Sequence, residues 1–250
     1  MSTLTALITG GTRRVGLATA RAFASERSTL IVTSRNPSSE EAKRAKQELD
    51  TLGARVELEQ LDPGDADSIS SLAQRVASRH TSLDVLVHNA SSYEPSPLES
   101  LTFSQMSHAM TVNAFGPAFL TEELRPQLEA SKHPGGAGVI AMVDMHVLGR
   151  PRKNLLAYSM SKAALAEAVR TLARELAPKI RVNAVAPGVV AWPEQGSESA
   201  EAFQRQYLSR VPLERAGTPE DAAEAVRWLA IDARYTTGEI VRVDGGRWLA

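Results

Sequence analysis

The sequence contains no cysteine. That absence excludes disulfides, thiolate nucleophiles and cysteine-ligated zinc, and it fits a reducing compartment. Net charge is almost absent too. Against 29 Asp and Glu stand 28 Lys and Arg, a formal charge of −1, so no strong field draws the chain to nucleic acid or to an anionic membrane. No apolar stretch approaches the length of a membrane span. The opening residues MSTLTALITGG carry no basic region before the apolar run and no small-residue cleavage site, so no signal peptide is expected. No linker, repeat or low-complexity segment divides the chain, and no metal site is evident. What is present is ordinary globular composition, 43% hydrophobic and 23% charged over 250 residues, enough to bury a core without staples. The bulk properties therefore leave a cytoplasmic enzyme or a small-molecule binding domain.

Short apolar runs alternate with longer amphipathic segments. Strands are expected at Thr3–Thr9, Ser28–Ser34, Ala54–Leu61, Leu83–His88, Gly138–Val143, Ile180–Ala186 and Glu239–Val243. Helices are expected at Arg14–Ser25, Ser38–Leu52, Asp65–Arg79, from Thr102 to Ala130, and at Leu156–Ala177. Ser38 with Glu41, and Thr102 with Gln105, have the spacing of capping boxes. Pro117 and Pro126 should bend or break the long helix. Thr218, Pro219 and Asp221 read as the N-cap, first-turn proline and first-turn acid of a further helix. Strands apolar nearly throughout imply a sheet covered on both faces, and βαβ alternation implies parallel strands with right-handed crossovers. The expected fold is α/β: a single doubly wound, Rossmann-like domain over residues 1–250 with a seven-stranded parallel sheet. The apolar signal is weakest between Val189 and Val211. That stretch reads either as a mobile substrate lid or as an excursion with one small helix.

The first strand runs into Thr9-Gly10-Gly11-Thr12-Arg13-Arg14-Val15-Gly16. Glycines at a strand-to-helix turn let the backbone approach a pyrophosphate, whose charge the helix N-terminus favours. NAD-binding folds usually place an acid after the second strand for the ribose 2′-hydroxyl. Here that strand ends Thr33-Ser34-Arg35-Asn36, with no acid. Arg13 and Arg35 can instead meet a 2′-phosphate. NADPH is the expected cofactor. Asp62 after the third strand reads equally as a turn residue before Pro63.

The chemistry-bearing signal is Tyr158 with Lys162, which share one helix face at i and i+4. An ammonium near a phenol should stabilise phenolate and lower the Tyr pKa from about 10 towards neutrality, making Tyr158 a usable general acid. With the glycine loop upstream, the chain resembles the short-chain dehydrogenases and reductases, whose phosphate loop has the form TGxxx[small]xG, with Arg14 here at the small position. Further segments match in order. Asn89-Ala90 resembles the NNAG motif, with His88 and Ser91 replacing two of its residues. Asn113 stands where that family keeps a fourth catalytic residue that holds a proton-relay water. Pro187-Gly188 matches the motif at the nicotinamide end, and Asp244-Gly245-Gly246 a C-terminal one. The resemblance also implies that Gly10, Thr12, Arg13, Arg14, Val15, Gly16, Arg35, Asp62, Asn89, Ala90, Tyr158, Lys162, Pro187 and Gly188 contact the cofactor, with Asp62 at the adenine.

One departure narrows the resemblance. Asp144 occupies, by strand register, the place of the family's catalytic Ser, with one residue inserted before Tyr158. A carboxyl there suits a substrate with N–H donors or a proton delivered to nitrogen; alternatively Asp144 is a helix-capping or turn residue, with Met145 or His146 by the substrate. Pteridine reductases resemble this chain at that position, with Asp, Tyr and Lys, and also in a segment like Asn89-Ala90-Ser91-Ser92-Tyr93. The likeness implies Asp144, Tyr158, Lys162 and Asn113 as catalytic residues. It further implies a pterin stacked on Tyr93, held by Ser91, Arg14, Asp144 and Tyr158, with Trp192-Pro193-Glu194 resembling the bacterial WPE segment. Alternatively Tyr93 packs on the sheet edge, and Trp192 anchors a lid. The expected reaction is NADPH-dependent reduction of a C=N bond in a dihydropterin. Two alternatives are a carbonyl or 3-oxoacyl reductase and a non-catalytic NADPH-binding sensor. By analogy a homotetramer is expected, formed through the helix rich in Ala163, Ala164, Ala166 and Ala168 and the long helix before it, unless those alanines only pack on the sheet.

Overall fold

The computed structural model describes residues 4–25, 27–192 and 199–250. Its strands are β1 (Leu4–Ile8), β2 (Ser28–Ser34), β3 (Arg55–Gln60), β4 (Val85–His88), β5 (Ala137–Met142), β6 (Ile180–Pro187) and β7 (Ile240–Val243). Its helices are α1 (Arg14–Phe23), α2 (Glu40–Thr51), α3 (Ala66–Arg79), α4 (Phe103–Met110), α5 (Gly116–Glu123), α6 (Arg125–Glu129), α7 (Leu156–Leu176), α8 (Glu201–Leu208) and α9 (Pro219–Arg227). All seven strands are parallel, in the order β3-β2-β1-β4-β5-β6-β7. The α/β fold expected from the alternation is therefore present, as one sheet.

Successive strand residues point to opposite faces, and both faces are apolar here. Leu7 and Leu86 join Leu72 of α3, Leu120 of α5 and Leu165 of α7 in one core. Ile8 and Val87 join Ala20 of α1, Leu49 of α2 and Val226 of α9 in the other. Strand β1 pairs with both β2 and β4. The order of the chain reverses there, and such a reversal opens a crevice at the carboxyl ends of the strands.

Local chemistry adjusts some of the expected boundaries. The N-cap of α2 is Ser39, whose side chain accepts from the Ala42 amide. Ser38 lies one residue too early, its amide bonded to Asn36 Oδ1. The Thr102–Gln105 and Thr218–Asp221 boxes both close. Thr3 and residues 193–198 lie outside the described residues, so Pro193, Glu194 and most of the expected lid's approach do too. The later part of that stretch forms one small helix, α8.

The long helix does not end at Pro117. Between α4 and α5 it widens into a π-turn at Thr111–Phe115, where the Gly116 amide bonds back to Thr111. A proline at 117 offers no N–H to the Asn113 carbonyl four residues earlier, and the wider turn absorbs that loss. Gly116 is required beside it: a Cβ there would lie 2.1 Å from the Pro63 oxygen. Buried Arg181 ties β6 to distant backbone, donating to the carbonyls of Gly135, Leu229, Ala230 and Ala233.

Candidate active site

The glycine loop sits where the crevice opens. A Cβ on Gly16 would fall 2.1 Å from the Gly10 oxygen, so the loop can wrap this tightly only with glycine at that position. The Gly10 amide donates to Thr33 Oγ1 at 3.1 Å. Asn89 Nδ2 donates to the Thr9 and Gly10 carbonyls, each at 3.0 Å, and the amides of Asn89 and Ala90 both bond Thr9 Oγ1. Asn89 and Ala90 thus brace the loop from β4. Thr12 is buried and Val15 half-buried, while Arg13 and Arg35 are exposed beside the end of β2. Arg13 lies 4.0 Å from Glu41, an exposed pair of little energetic weight. Asp62 acts as a turn residue through Oδ1, which accepts from the Gly64 amide at 2.9 Å.

Arg14 has a positive φ of 49° and reaches across the crevice. Its Nη2 donates to the carbonyls of Ala191, at 3.2 Å, and Trp192, at 2.9 Å. It connects the loop after β1 with the segment after β6. That segment begins at Pro187-Gly188, where the Gly188 amide bonds Val243.

Asp144 and Tyr158 meet at the end of β5. The Tyr158 hydroxyl donates to Asp144 Oδ2 at 3.0 Å. The other carboxylate oxygen accepts from the His146 amide at 2.7 Å, capping a short 3₁₀ turn. Asp144 therefore caps the turn and contacts the phenol at the same time. Lys162 is buried one turn along α7, and its Nζ donates to the Met142 carbonyl at 2.7 Å. Burial lowers its pKa to about 8.

The expected fall in the Tyr158 pKa is reversed. Burial first, and then the charge and hydrogen bond of Asp144, push the phenol well above its ordinary value. A carboxylate that accepts from a phenol favours the neutral phenol, and this outweighs an ammonium whose Nζ lies 5.9 Å from the ring centre. His88, buried beneath, bonds Thr121 Oγ1 at 2.8 Å, and burial followed by the Lys162 charge holds its pKa near 3. It is a neutral core residue.

Asn113 is fully buried in the π-turn. Its Nδ2 donates to Ser161 Oγ and to the Ser92 carbonyl, and its Oδ1 accepts from the Ser92 amide and Ser91 Oγ. The side chain pins the loop after β4 to α7, so the Ser91 hydroxyl is also tied to the scaffold. Tyr93 on that loop packs edge-on to Tyr158 with ring centres 4.8 Å apart, and its hydroxyl accepts from Arg152 Nη1 at 3.0 Å. Trp192 packs edge-on against Phe203 and Tyr207 near α8, which makes it an anchor for that wall.

Sequence reasoning missed Arg152 and Tyr207, and brought in His146 only under the reading of Asp144 as a turn residue. The only signal for Arg152 was its closeness in the chain to Asp144. Tyr207 lies on a helix that the sequence left undefined. Among the described residues no helix is long and apolar enough to cross a membrane, and no cluster of His, Asp and Glu is placed to hold a metal.

Comparison with known proteins agrees with this architecture. Residues 10–247 match the family model described as enoyl-(acyl carrier protein) reductase. The chain is 32% identical to a 3-oxoacyl-[acyl-carrier-protein] reductase of Thermotoga maritima, over 96% of each chain. It is also 32% identical to a dihydromonapterin reductase of Klebsiella pneumoniae, over 96% of this chain and 95% of that one. A short-chain dehydrogenase from Burkholderia cenocepacia, solved in complex with NADP, superposes with a TM-score of 0.87 at 26% identity, covering 98% of both chains.

Proposed function

This chain belongs to the short-chain dehydrogenase/reductase family, and we propose that within it the protein is an NADPH-dependent reductase of the C=N bond of a dihydropterin or related pteridine. The observation that carries the reading is the Tyr158 hydroxyl bonded to a carboxylate, Asp144, at 3.0 Å. A carboxylate only accepts hydrogen bonds, so Asp144 suits a substrate edge that bears N–H groups. Tyr93, ring edge-on to Tyr158, offers an aromatic face to a flat heterocycle.

The residues present fit the cofactor. Gly16 leaves the turn open to a pyrophosphate, no acid directly follows β2, and the exposed Arg13 and Arg35 can meet a 2′-phosphate, Arg13 by giving up its weak pair with Glu41. Gly10, Thr12, Val15, Pro187, Gly188 and Lys162 would hold it. When bound, NADPH supplies a hydride. Tyr158 gives its hydroxyl proton to the substrate nitrogen. Its raised pKa keeps that proton in place at neutral pH, and Lys162 stabilises the phenolate left behind until solvent returns a proton. Asp144 orients the phenol throughout.

A second reading, reduction of a ketone or 3-oxoacyl thioester, is supported by the likeness to the Thermotoga reductase. The intact trio of Asn113, Tyr158 and Lys162 argues against a cofactor sensor without chemistry. The same proposal includes a homotetramer in the cytoplasm. Phe115, Phe119 and Met160 are 59%, 38% and 43% exposed around α5 and α7, and a second copy would cover them; sedimentation velocity checks this.

The deciding experiment is NADPH oxidation with dihydropterins beside a ketone panel. Turnover confined to dihydropterins supports the first reading, and turnover confined to ketones replaces it with the second. Tyr158→Phe should lose about 10²–10⁴-fold in rate while NADPH fluorescence still reports binding.

A further inference from the structure

Next to the corner formed by Tyr93, Asp144 and Tyr158 lies a cavity of about 400 Å³. Its walls carry four guanidinium groups, those of Arg150, Arg152, Arg210 and Arg247, together with His146 and Tyr207. None of the described residues lining it is acidic. We propose that this cavity binds an anionic tail of the substrate, a phosphate ester or a carboxylate, while the ring of the same molecule reacts at Tyr158. The link to turnover rests on the reading of Tyr158 given above; the binding of an anion does not.

Among the described residues, Arg150, Arg210 and Arg247 have no Asp or Glu partner, whereas several other arginines do. Arg75 and Arg79 share Glu59, Arg21 pairs with Glu48, and Arg215 pairs with Asp221. Among the described residues, the Arg150 guanidinium bonds the Trp248 carbonyl, and that of Arg247 bonds the main-chain oxygen of Ala250 and lies 5.4 Å from the Tyr207 ring centre. Arg247 is 7% exposed, and its Nε is buried with no partner. The Arg210 guanidinium has no hydrogen-bond or ion-pair partner among the described residues. Two described carboxylates whose charge reaches the cavity lining, Asp144 and Asp244, are already hydrogen-bonded. Asp244 accepts from the amides of Gly246 and Trp248, and Asp144 from His146 and Tyr158.

Like charges gathered in a partly buried space repel one another. Burial, and then the charges of Arg150 and Arg210, work to lower the Arg247 pKa. A bound anion would remove that repulsion and satisfy the orphaned Nε. Guanidinium forks grip phosphate and carboxylate oxygens in pairs. Position fits as well: Arg152 lines the cavity and donates to Tyr93, so a tail entering it leaves the attached ring against Tyr93. The volume exceeds what one small ion needs and lies in the range of ligand pockets, about 300–1,000 Å³.

The test has a binding arm and a turnover arm. Pyrophosphate and glutarate are titrated by calorimetry into the protein saturated with NADP⁺, and into Arg210→Met and Arg247→Met under the same conditions. The saturating nucleotide removes binding at the glycine loop, and circular dichroism checks the fold. One or both ions should bind the unaltered protein, and roughly tenfold or more weakly to Arg210→Met. Which ion binds separates a phosphate tail from a carboxylate tail. Absence of binding by both, or equal affinity in the folded Arg210→Met, overturns the proposal. In the turnover arm, Arg210→Met should raise KM for a dihydropterin with an anionic tail and leave a neutral-tailed one unchanged. Anion binding that depends on Arg210 without any pterin turnover would uphold the cavity and reject the pterin reading.

Discussion

At the scale of single residues, Lys162 costs the fold stability. An ammonium buried with one carbonyl partner has a pKa of about 8 instead of the ordinary 10.5, a penalty on the order of 3 kcal/mol while it is charged. The folded state releases the proton near pH 8, whereas the unfolded chain holds it to about pH 10. Stability contributed by this site therefore rises with pH between those limits and is lowest below pH 8. Lys162→Met should raise the unfolding free energy at pH 7 by roughly 1–3 kcal/mol, and the gain should shrink towards pH 10, while turnover is lost. Urea denaturation of both proteins at the two pH values measures this; a gain that stays constant rejects the burial account. A stability cost of this kind at a site that also carries chemistry is a common trade.

At the scale of elements, the π-turn between α4 and α5 is what places Asn113. Gly116 packs on Pro63, so Gly116→Ala must push the two segments apart. The expected loss is about 1–3 kcal/mol, read by thermal denaturation, with a fall in kcat as Asn113 loosens its hold on the Ser91–Ser92 loop. Unchanged stability and kcat would show that the contact gives way freely. This element also marks how far the sequence could be read. The strands and most helices were legible because burial on both faces leaves long apolar runs, and Tyr158, Lys162 and Asp144 were legible from spacing and register. Pro117 signalled an interruption but not its form, since a proline gives the same local signal for a break and for a widened turn. Ser38 and Ser39 offer the same hydroxyl, and only the path of the backbone chooses between them. The sign of the Tyr158 shift was lost for a related reason. Sequence spacing brings the lysine within range, but only the tertiary structure sets the carboxylate against the phenol and buries the phenol.

At the scale of the whole molecule, one buried side chain gathers distant parts of the chain. Arg181 is 5% exposed and holds the carbonyls of Gly135, Leu229, Ala230 and Ala233. Arg181→Met would strand four carbonyls, at a cost of about 3 kcal/mol or more, lowering Tm by roughly 6–12 °C for a chain of this length. Differential scanning calorimetry checks it, and a shift within a degree or two would mean that those carbonyls find other donors. The same residue bears on the order of assembly. During synthesis β6 leaves the ribosome well before residues 229–233, so its guanidinium has no lasting place to settle until nearly the whole chain exists. Premature closure of the sheet's second half would trap a naked charge. Three of its four carbonyl partners thus come from about fifty residues later in the chain, and its full set of bonds exists only once that stretch has been made.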